Sequence, residues 1–280
     1  MRSDGTEKGC DVKITAIVVT CNDERYLKES LESLAFCDQL IVVDLESTDS
    51  SVEIAQKAGA EVLRRERVPI VEKARGYALP RARNHWLLFQ DPDEVLSASL
   101  ARQAVEEVIR NPHAAIIRAP WQFYFKDKPL NCCIWGAPGQ SKILLVHRER
   151  VRLSPLVHRG FDIAEGFETV TITRQGDNFI RHYWMSSWSQ LIEKHRRYIR
   201  QEGEAKYLKG ERFSWPGWIL NTGIALKCSL IDYRGILGGT TGIFLSFFYA
   251  WYVAMSLLSL RKYQKNVEKS FNSRMNKLRL

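Results

Sequence analysis

The sequence predicts an α/β fold: a mixed, mostly parallel Rossmann-like sheet with flanking helices, then a C-terminal helical segment suited to a membrane. Three observations predict it. Apolar, β-branched runs alternate with helix-period segments through the first hundred residues. Acidic residues recur where those runs end. Finally, residues 235–260, a stretch of 26, carry no charge.

Residues 12–20 (VKITAIVVT) form a buried-type strand. Asn22, Asp23 and Glu24 supply helix-capping chemistry, and Tyr26, Leu27, Leu31 and Leu34 recur at helical spacing. Residues 39–45 (QLIVVDL) give a second strand. Ser47, Thr48 and Asp49 cap a helix through Val52, Ile54 and Ala55, which Gly59 ends. A short strand at 60–63 and a helix over 74–83 lead to a fourth strand, 86–90, which stops at Asp91-Pro92-Asp93-Glu94. This spacing calls for right-handed crossovers and a parallel sheet covered on both faces. Ligands of such sheets sit beyond the carboxyl ends of the strands, where Asn22, Asp44, Asp49, Asp91 and Asp93 all fall.

Composition narrows the class. Of 280 residues, 45% are hydrophobic, enough for a sizeable core. Forty-one basic residues against 32 acidic give +9, which suggests an anionic partner. The last twenty residues hold seven Lys/Arg and one acid, or +6, leaving about +3 upstream. A nucleic-acid binder fits poorly, because the basic residues gather in that tail rather than along an aromatic groove. Six cysteines show no CxxC pair, consistent with a reduced compartment. Residues 1–11 are polar and do not read as a secretory signal.

Two carboxylates one residue apart at a strand end, Asp91 and Asp93, can share a hard cation that in turn takes diphosphate oxygens. Asp-Pro-Asp is also good turn chemistry. Asp44 can accept hydrogen bonds from a ribose or base, or close a turn. No GxGxxG follows the first strand and no GxxxxGK[ST] occurs, so metal and basic side chains would hold phosphates instead of a glycine cradle. That argues against a dehydrogenase or a P-loop NTPase.

The runs ITAIVVTCNDERYLKESLESL, LIVVDLESTDSSVEIAQKAGAEV, KARGYAL and WLLFQDPDE, in that order, resemble the catalytic domain of family 2 glycosyltransferases of the GT-A fold. The likeness is greatest to the subgroup acting on lipopolysaccharide core and related surface glycans. RHYWMSSWSQLIEKHRRYIRQEGEAKYL and the apolar C-terminal stretch resemble later segments of that subgroup. The resemblance implies that Thr20, Asn22 and Glu24 line the base and ribose pocket. It sets Asp44 on the base and Arg75 near the base or diphosphate. It makes Asp91 and Asp93 the metal-associated pair, with Asp93 as the direct ligand and Asp91 contacting the ribose or supporting the metal's ligands from behind. The chain departs at Leu45-Glu46, where the family reads serine-glycine, at Gly76 for asparagine, and at Pro92 for a small residue. Inverting transfer requires a base to deprotonate the acceptor hydroxyl. Where relatives read Val-His-Glu this chain has Val157-His158-Arg159, so Asp162, His158, Glu165 and Glu149 all stand as candidates.

His182 can face the site or be structural, and His195 reads as part of a basic helix face. Trp121, Phe123, Tyr124, Phe125 and Trp135 can stack on a sugar or pack in the core. As one helix, residues 235–260 would extend about 39 Å, beyond the roughly 30 Å of a hydrocarbon core. Gly238, Gly239 and Gly242 weaken its first third, and both flanks are basic, at Arg234 and at Arg261-Lys262. A monotopic or re-entrant helix on the cytoplasmic face, pinned by tail lysines on anionic lipid, fits better than a single-pass span.

The expected organisation is an extension (1–11), a GT-A domain (12–185), a helical extension (186–234), the apolar helix (235–260) and a basic tail (261–280). The expected activity is metal-assisted inverting transfer of a hexosyl or heptosyl unit. The donor would be a UDP-, GDP- or ADP-sugar with Mg²⁺ or Mn²⁺, and the acceptor a lipid-linked or surface glycan. A nucleotidyltransferase and a non-catalytic nucleotide-sugar-binding membrane protein are the alternatives, and oligomerisation stays open.

Overall fold

The computed structural model describes residues 12–68, 71–137, 139–153 and 161–278, with only the backbone of Glu72, Leu153 and 271–278. The chain divides into two compact units. One comprises the chain up to Gln122 together with Gly139–Tyr183, the other Phe123–Pro138 together with Trp184–Leu280.

The chain begins β1 (Ile14–Thr20), α1 (Glu24–Glu32), β2 (Gln39–Asp44), α2 (Ser51–Lys57), β3 (Glu61–Arg64), α3 (Val71–Ala78) and β4 (Trp86–Gln90). Next come β5 (Glu94–Leu96), α4 (Ala98–Arg110), β6 (Ala114–Phe125), β7 (Lys128–Pro129), β8 (Ser141–His147), β9 (Val151–Leu153), β10 (Phe161–Ile163), β11 (Glu168–Thr171) and β12 (Ile180–Met185). The strands run β3-β2-β1-β4-β8-β6-β12-β5, with β7 and β11 beside β6 and a separate β9–β10 hairpin. The β3-β2-β1-β4 half is wholly parallel, while β8 enters antiparallel to β4. This is the mixed sheet with flanking helices that the sequence predicts.

Alternation along β1 explains why both faces are covered. Ile14, Ala16 and Val18 turn to one face, where Leu27 and Leu31 of α1, Ala55 of α2 and Leu100, Ala104 and Val108 of α4 meet them. Ile17 and Val19 turn to the other, against Ala74 and Ala78 of α3. With every side chain of β1 buried, register is strongly specified. Thr20 and Asp44 therefore finish side by side at the carboxyl edge.

The second unit is built from α5 (Trp188–Leu208), α6 (Trp215–Lys227) and α7 (Gly239–Leu278), with α7 packed on both others. Two expectations need correction here. His195 is not on a solvated basic face: it is 5% exposed and ringed edge-on by Trp135, Trp184, Phe248 and Tyr252. Its Nδ1 lies 2.7 Å from the Leu191 carbonyl, and burial lowers its pKa. The glycines before α7 do not merely weaken a helix. A Cβ on Gly238 would sit 2.1 Å from Cys132 Sγ, and one on Gly242 would sit 2.2 Å from the Gly235 carbonyl. They permit close approach, and α7 then continues unbroken from Gly239 through the basic tail.

Gly242→Ala should therefore destabilise this unit by about 1–3 kcal/mol, read as a lowered urea midpoint. An unchanged midpoint would show that the 235–242 backbone yields freely.

Candidate functional site

Two loops are laced together at the carboxyl edge. Asn22, at φ +60°, donates its backbone N–H to Ser47 Oγ (3.0 Å) and accepts from the Thr48 N–H at Oδ1 (2.7 Å). Glu24 accepts from the Ser50 N–H (2.9 Å) and gives its own N–H to Asp49 (3.1 Å). Thr20 is buried and donates to Asp23 Oδ2 (3.2 Å). Asp44, 2% exposed, accepts from the Ser47 N–H (3.2 Å). Thr20, Asn22, Glu24 and Asp44 thus form one rim over β1 and β2. Glu46 takes φ +56°, the left-handed conformation that glycine favours.

Asp23 stands before the first turn of α1, yet its carboxylate does not cap the helix. It turns back to the Cys21 N–H (2.8 Å) and Thr20. Burial raises its pKa, and the charge of Asp93 adds to the rise. Asp23 and Asp93 therefore share one region of negative potential, which capping chemistry in the sequence does not disclose.

Beneath Asp91-Pro92-Asp93 lies a buried polar floor. Gln90, 1% exposed, donates to Ser30 Oγ (2.7 Å) and to the Glu94 carbonyl (2.9 Å). Glu94 is also 1% exposed; its Oε2 accepts from the Asp91 N–H (3.1 Å) and from Lys142 Nζ on β8. Burial pushes the Glu94 carboxyl up from its ordinary 4.5, against the pull of Lys142. Asp91 itself is clamped: Arg75 Nη2 lies 2.8 Å from Oδ1 and Lys142 Nζ 3.9 Å from Oδ2.

Asp93 has a different neighbour. β12 pairs antiparallel with β5, opposing His182 to Glu94, and the Tyr183 N–H bonds the Asp93 carbonyl (2.8 Å). His182 Nε2 then lies 3.4 Å from Asp93 Oδ2. Trp121 stacks on the imidazole, centroids 4.9 Å apart and 6° from parallel, and Lys142 Nζ lies over the same indole. One carboxylate oxygen and one imidazole nitrogen at this separation can both reach a small divalent cation. Among the described residues no cluster of three or more His, Cys, Asp or Glu has metal-binding geometry. The residues fit a cation that takes its remaining ligands from diphosphate and water.

Asp162 is exposed on β10, opposite Arg152 of β9, and Glu165 is exposed in the following turn. Glu149 pairs with His85 at 3.2 Å. His158 lies outside the described residues. Of the aromatic residues, Trp121 reaches the site. Phe123, Phe125 and Trp135 pack with Trp184 and Trp188 in the helical unit.

Residues 15–131 match the family described as Glycosyl transferase family 2. An uncharacterized glycosyltransferase of Rickettsia conorii is 36% identical over 94 residues, 33% of each chain. One from Rickettsia bellii is 36% identical over 89 residues, 31% of this chain and 30% of that one. The chain thus spans about a third of the length of the curated relatives it matches. Among solved structures, TarS of S. aureus with UDP-GlcNAc aligns with a TM-score of 0.35 at 26% identity, over 40% of this chain and 35% of that one. Glucosyl-3-phosphoglycerate synthase of Mycobacterium tuberculosis with Mg²⁺ and UDP gives 0.34 at 19%, over 41% and 44%.

Lys142→Met would leave Glu94 buried without its cation, a loss of about 3–5 kcal/mol at neutral pH. Glu94's raised pKa means the folded chain keeps its proton longer than the unfolded chain. That contribution is full below 4.5 and lost as pH rises through the folded value. Removing Lys142 raises the carboxyl further, so the deficit should shrink toward pH 4. Glu94→Gln added to Lys142→Met should recover most of it. Denaturant midpoints against pH check this, and a pH-independent deficit would contradict it.

Proposed function

From a chain whose residues 15–131 match the family described as Glycosyl transferase family 2, we propose metal-assisted, inverting transfer of a sugar from a nucleoside-diphosphate donor to a lipid-linked glycan at a membrane surface. The observation that carries the transfer chemistry is the grouping of Asp23 and Asp93, beyond the carboxyl ends of the parallel strands β1 and β4, with His182 of the antiparallel β12. In this reading Asp93 and His182 hold Mg²⁺ or Mn²⁺, which when bound stabilises the charge of the departing diphosphate. Trp121 and Tyr183 fix His182 and Asp93 in place. Asp91, held by Arg75 and Lys142, faces the ribose rather than the metal, and Arg75 is close enough to share itself with a phosphate. The rim of Asn22, Glu24 and Asp44 receives the base and sugar edge. Asp162, Glu165 and His158 remain the candidates for the base that deprotonates the acceptor.

A screen of nucleotide sugars by release of nucleoside diphosphate, with and without Mn²⁺, tests the chemistry. One donor should be turned over only with metal, and Asp93→Ala should lower the rate by about a hundredfold or more. Turnover unaffected by chelation, or by Asp93→Ala, would overturn it.

The membrane part rests on exposed apolar surface. On α6, Ile219, Leu220 and Ile224 are 66, 63 and 48% exposed, and on α7 Phe244 and Phe247 are 45 and 55% exposed. Water-facing apolar residues in this number mark a contact site. α7 is long and apolar enough to cross a membrane, with 39% of its apolar window buried in protein. Contacts with α5 and α6 favour a helix lying in the interface over a bare span. Because α7 packs on its neighbours, substitution tests this better than deletion. Ile219→Gln/Leu220→Gln/Phe247→Gln should abolish cosedimentation with phosphatidylcholine vesicles while leaving the melting temperature within a few degrees. Undiminished cosedimentation would contradict it.

A further inference from the structure

The helical unit contains a half-open cavity of about 770 Å³ that lies within that unit alone. Lys126 and Lys128 reach it from the β6–β7 turn, Arg234 from the segment before α7, and Asn131, Thr240 and Thr241 add polar groups. Among the described residues no carboxylate lines it; Asp127, between the two lysines in sequence, is not among the lining residues. Among the described residues none of the three cations has an acidic partner. Lys126 Nζ lies over the rings of Phe125 and Trp188, 5.9 and 5.0 Å from their centroids. Elsewhere Lys142 is paired with Glu94, Arg75 with Asp91 and Lys206 with Glu202.

Three uncompensated cations around one space repel each other unless an anion joins them. Apolar groups adjoin the wall: Leu237 lines the cavity and is 75% exposed, its neighbour Ile236 is 58% exposed, and Phe244 of α7, 45% exposed, packs on Trp188 of the wall. The cavity thus joins a site for concentrated negative charge to a surface suited to hydrocarbon. A free nucleotide or an acidic peptide satisfies the first feature and leaves the second unused. We propose that this cavity binds the terminal phosphate of a phosphorylated membrane lipid, whose chains lie along Ile236, Leu237 and Phe244. The assignment rests on the membrane reading above. It adds a phosphate-specific subsite, separate from the nucleotide rim, that selects which lipid the chain engages.

The test uses the full chain and vesicles of three compositions: phosphatidylcholine alone, phosphatidylcholine with phosphatidic acid, and phosphatidylcholine with phosphatidylglycerol matched for surface charge. A pocket for a terminal phosphate should favour phosphatidic acid over phosphatidylglycerol by about tenfold, whereas a basic tail senses charge alone. Lys126→Gln/Lys128→Gln/Arg234→Gln should abolish that preference and weaken binding to phosphatidic acid vesicles by up to about a hundredfold, roughly fivefold per cation. Lys262→Gln/Lys265→Gln/Lys269→Gln should weaken both anionic vesicles alike and keep the preference. An equal affinity for the two anionic lipids in the unaltered chain, or a preference that survives the triple pocket substitution, would overturn the proposal. Retained binding to phosphatidylcholine alone in the pocket variant separates the pocket's failure from failure of the membrane reading. If no vesicle binds, soluble dihexanoyl phosphatidic acid decides instead: calorimetric binding lost in the pocket variant supports the site. Absent binding, or equal binding of glycerol phosphate, refutes it.

Discussion

The rim of this sheet depends on a carboxylate that never reaches solvent. Glu94 is sealed beneath the Asp91-Pro92-Asp93 turn, bonded to the Asp91 N–H and to Lys142, and its carbonyl is held by Gln90. Both bonds fall on Oε2, while Oε1 is buried without a partner. The two bonds fix the turn, and the turn aims two carboxylates differently. Asp91 is drawn to Arg75 and Lys142, while Asp93 is left to His182 and to the field of Asp23. Two aspartates one residue apart thereby acquire distinct surroundings, and the proposed chemistry uses that difference.

Much of the sheet is readable from the chain alone, because β1, β2 and β4 are short, largely apolar runs, β2 ending on Asp44 and β4 followed directly by Asp91. Their periodicity, length and punctuation agree with one another. The glycosyltransferase resemblance over that stretch coincides with the family match at 15–131. The edge Asp44 and the paired Asp91 and Asp93 are legible for the same reason. Pairing across long separations is not. His182 meets Asp93 only because β12 returns beside β5, and no local pattern near either residue announces it. Lys142 has no motif at all; its role follows from β8 lying next to β4 and β6. Asp23 carries capping chemistry in sequence, but in the fold its side chain satisfies Cys21 and Thr20 instead.

The helical unit shows the converse limit. An uncharged run signals affinity for hydrocarbon but not what else the helix touches. The chain between 215 and 226 is uncharged too, yet Pro216, Gly217 and Gly223 disguise it as a broken segment. Ser214 caps α6 through the Gly217 N–H (3.2 Å), and proline stands in the first turn, where it costs no hydrogen bond. Gly235, Gly238 and Gly242 likewise mark tight packing against Ser246, Cys132 and the Gly235 carbonyl. Composition located this surface; only the packing distinguishes its buried side from its exposed one.

The central claim is that Asp93 and His182 together hold the divalent ion on which donor binding depends. Anomalous diffraction from crystals grown with Mn²⁺ and a nucleoside diphosphate tests it most directly. The account predicts a manganese peak bonded to the Asp93 carboxylate and to His182 Nε2, with diphosphate oxygens completing its shell. A bound nucleotide whose metal contacts neither side chain, or a nucleotide seated without any metal, would contradict it.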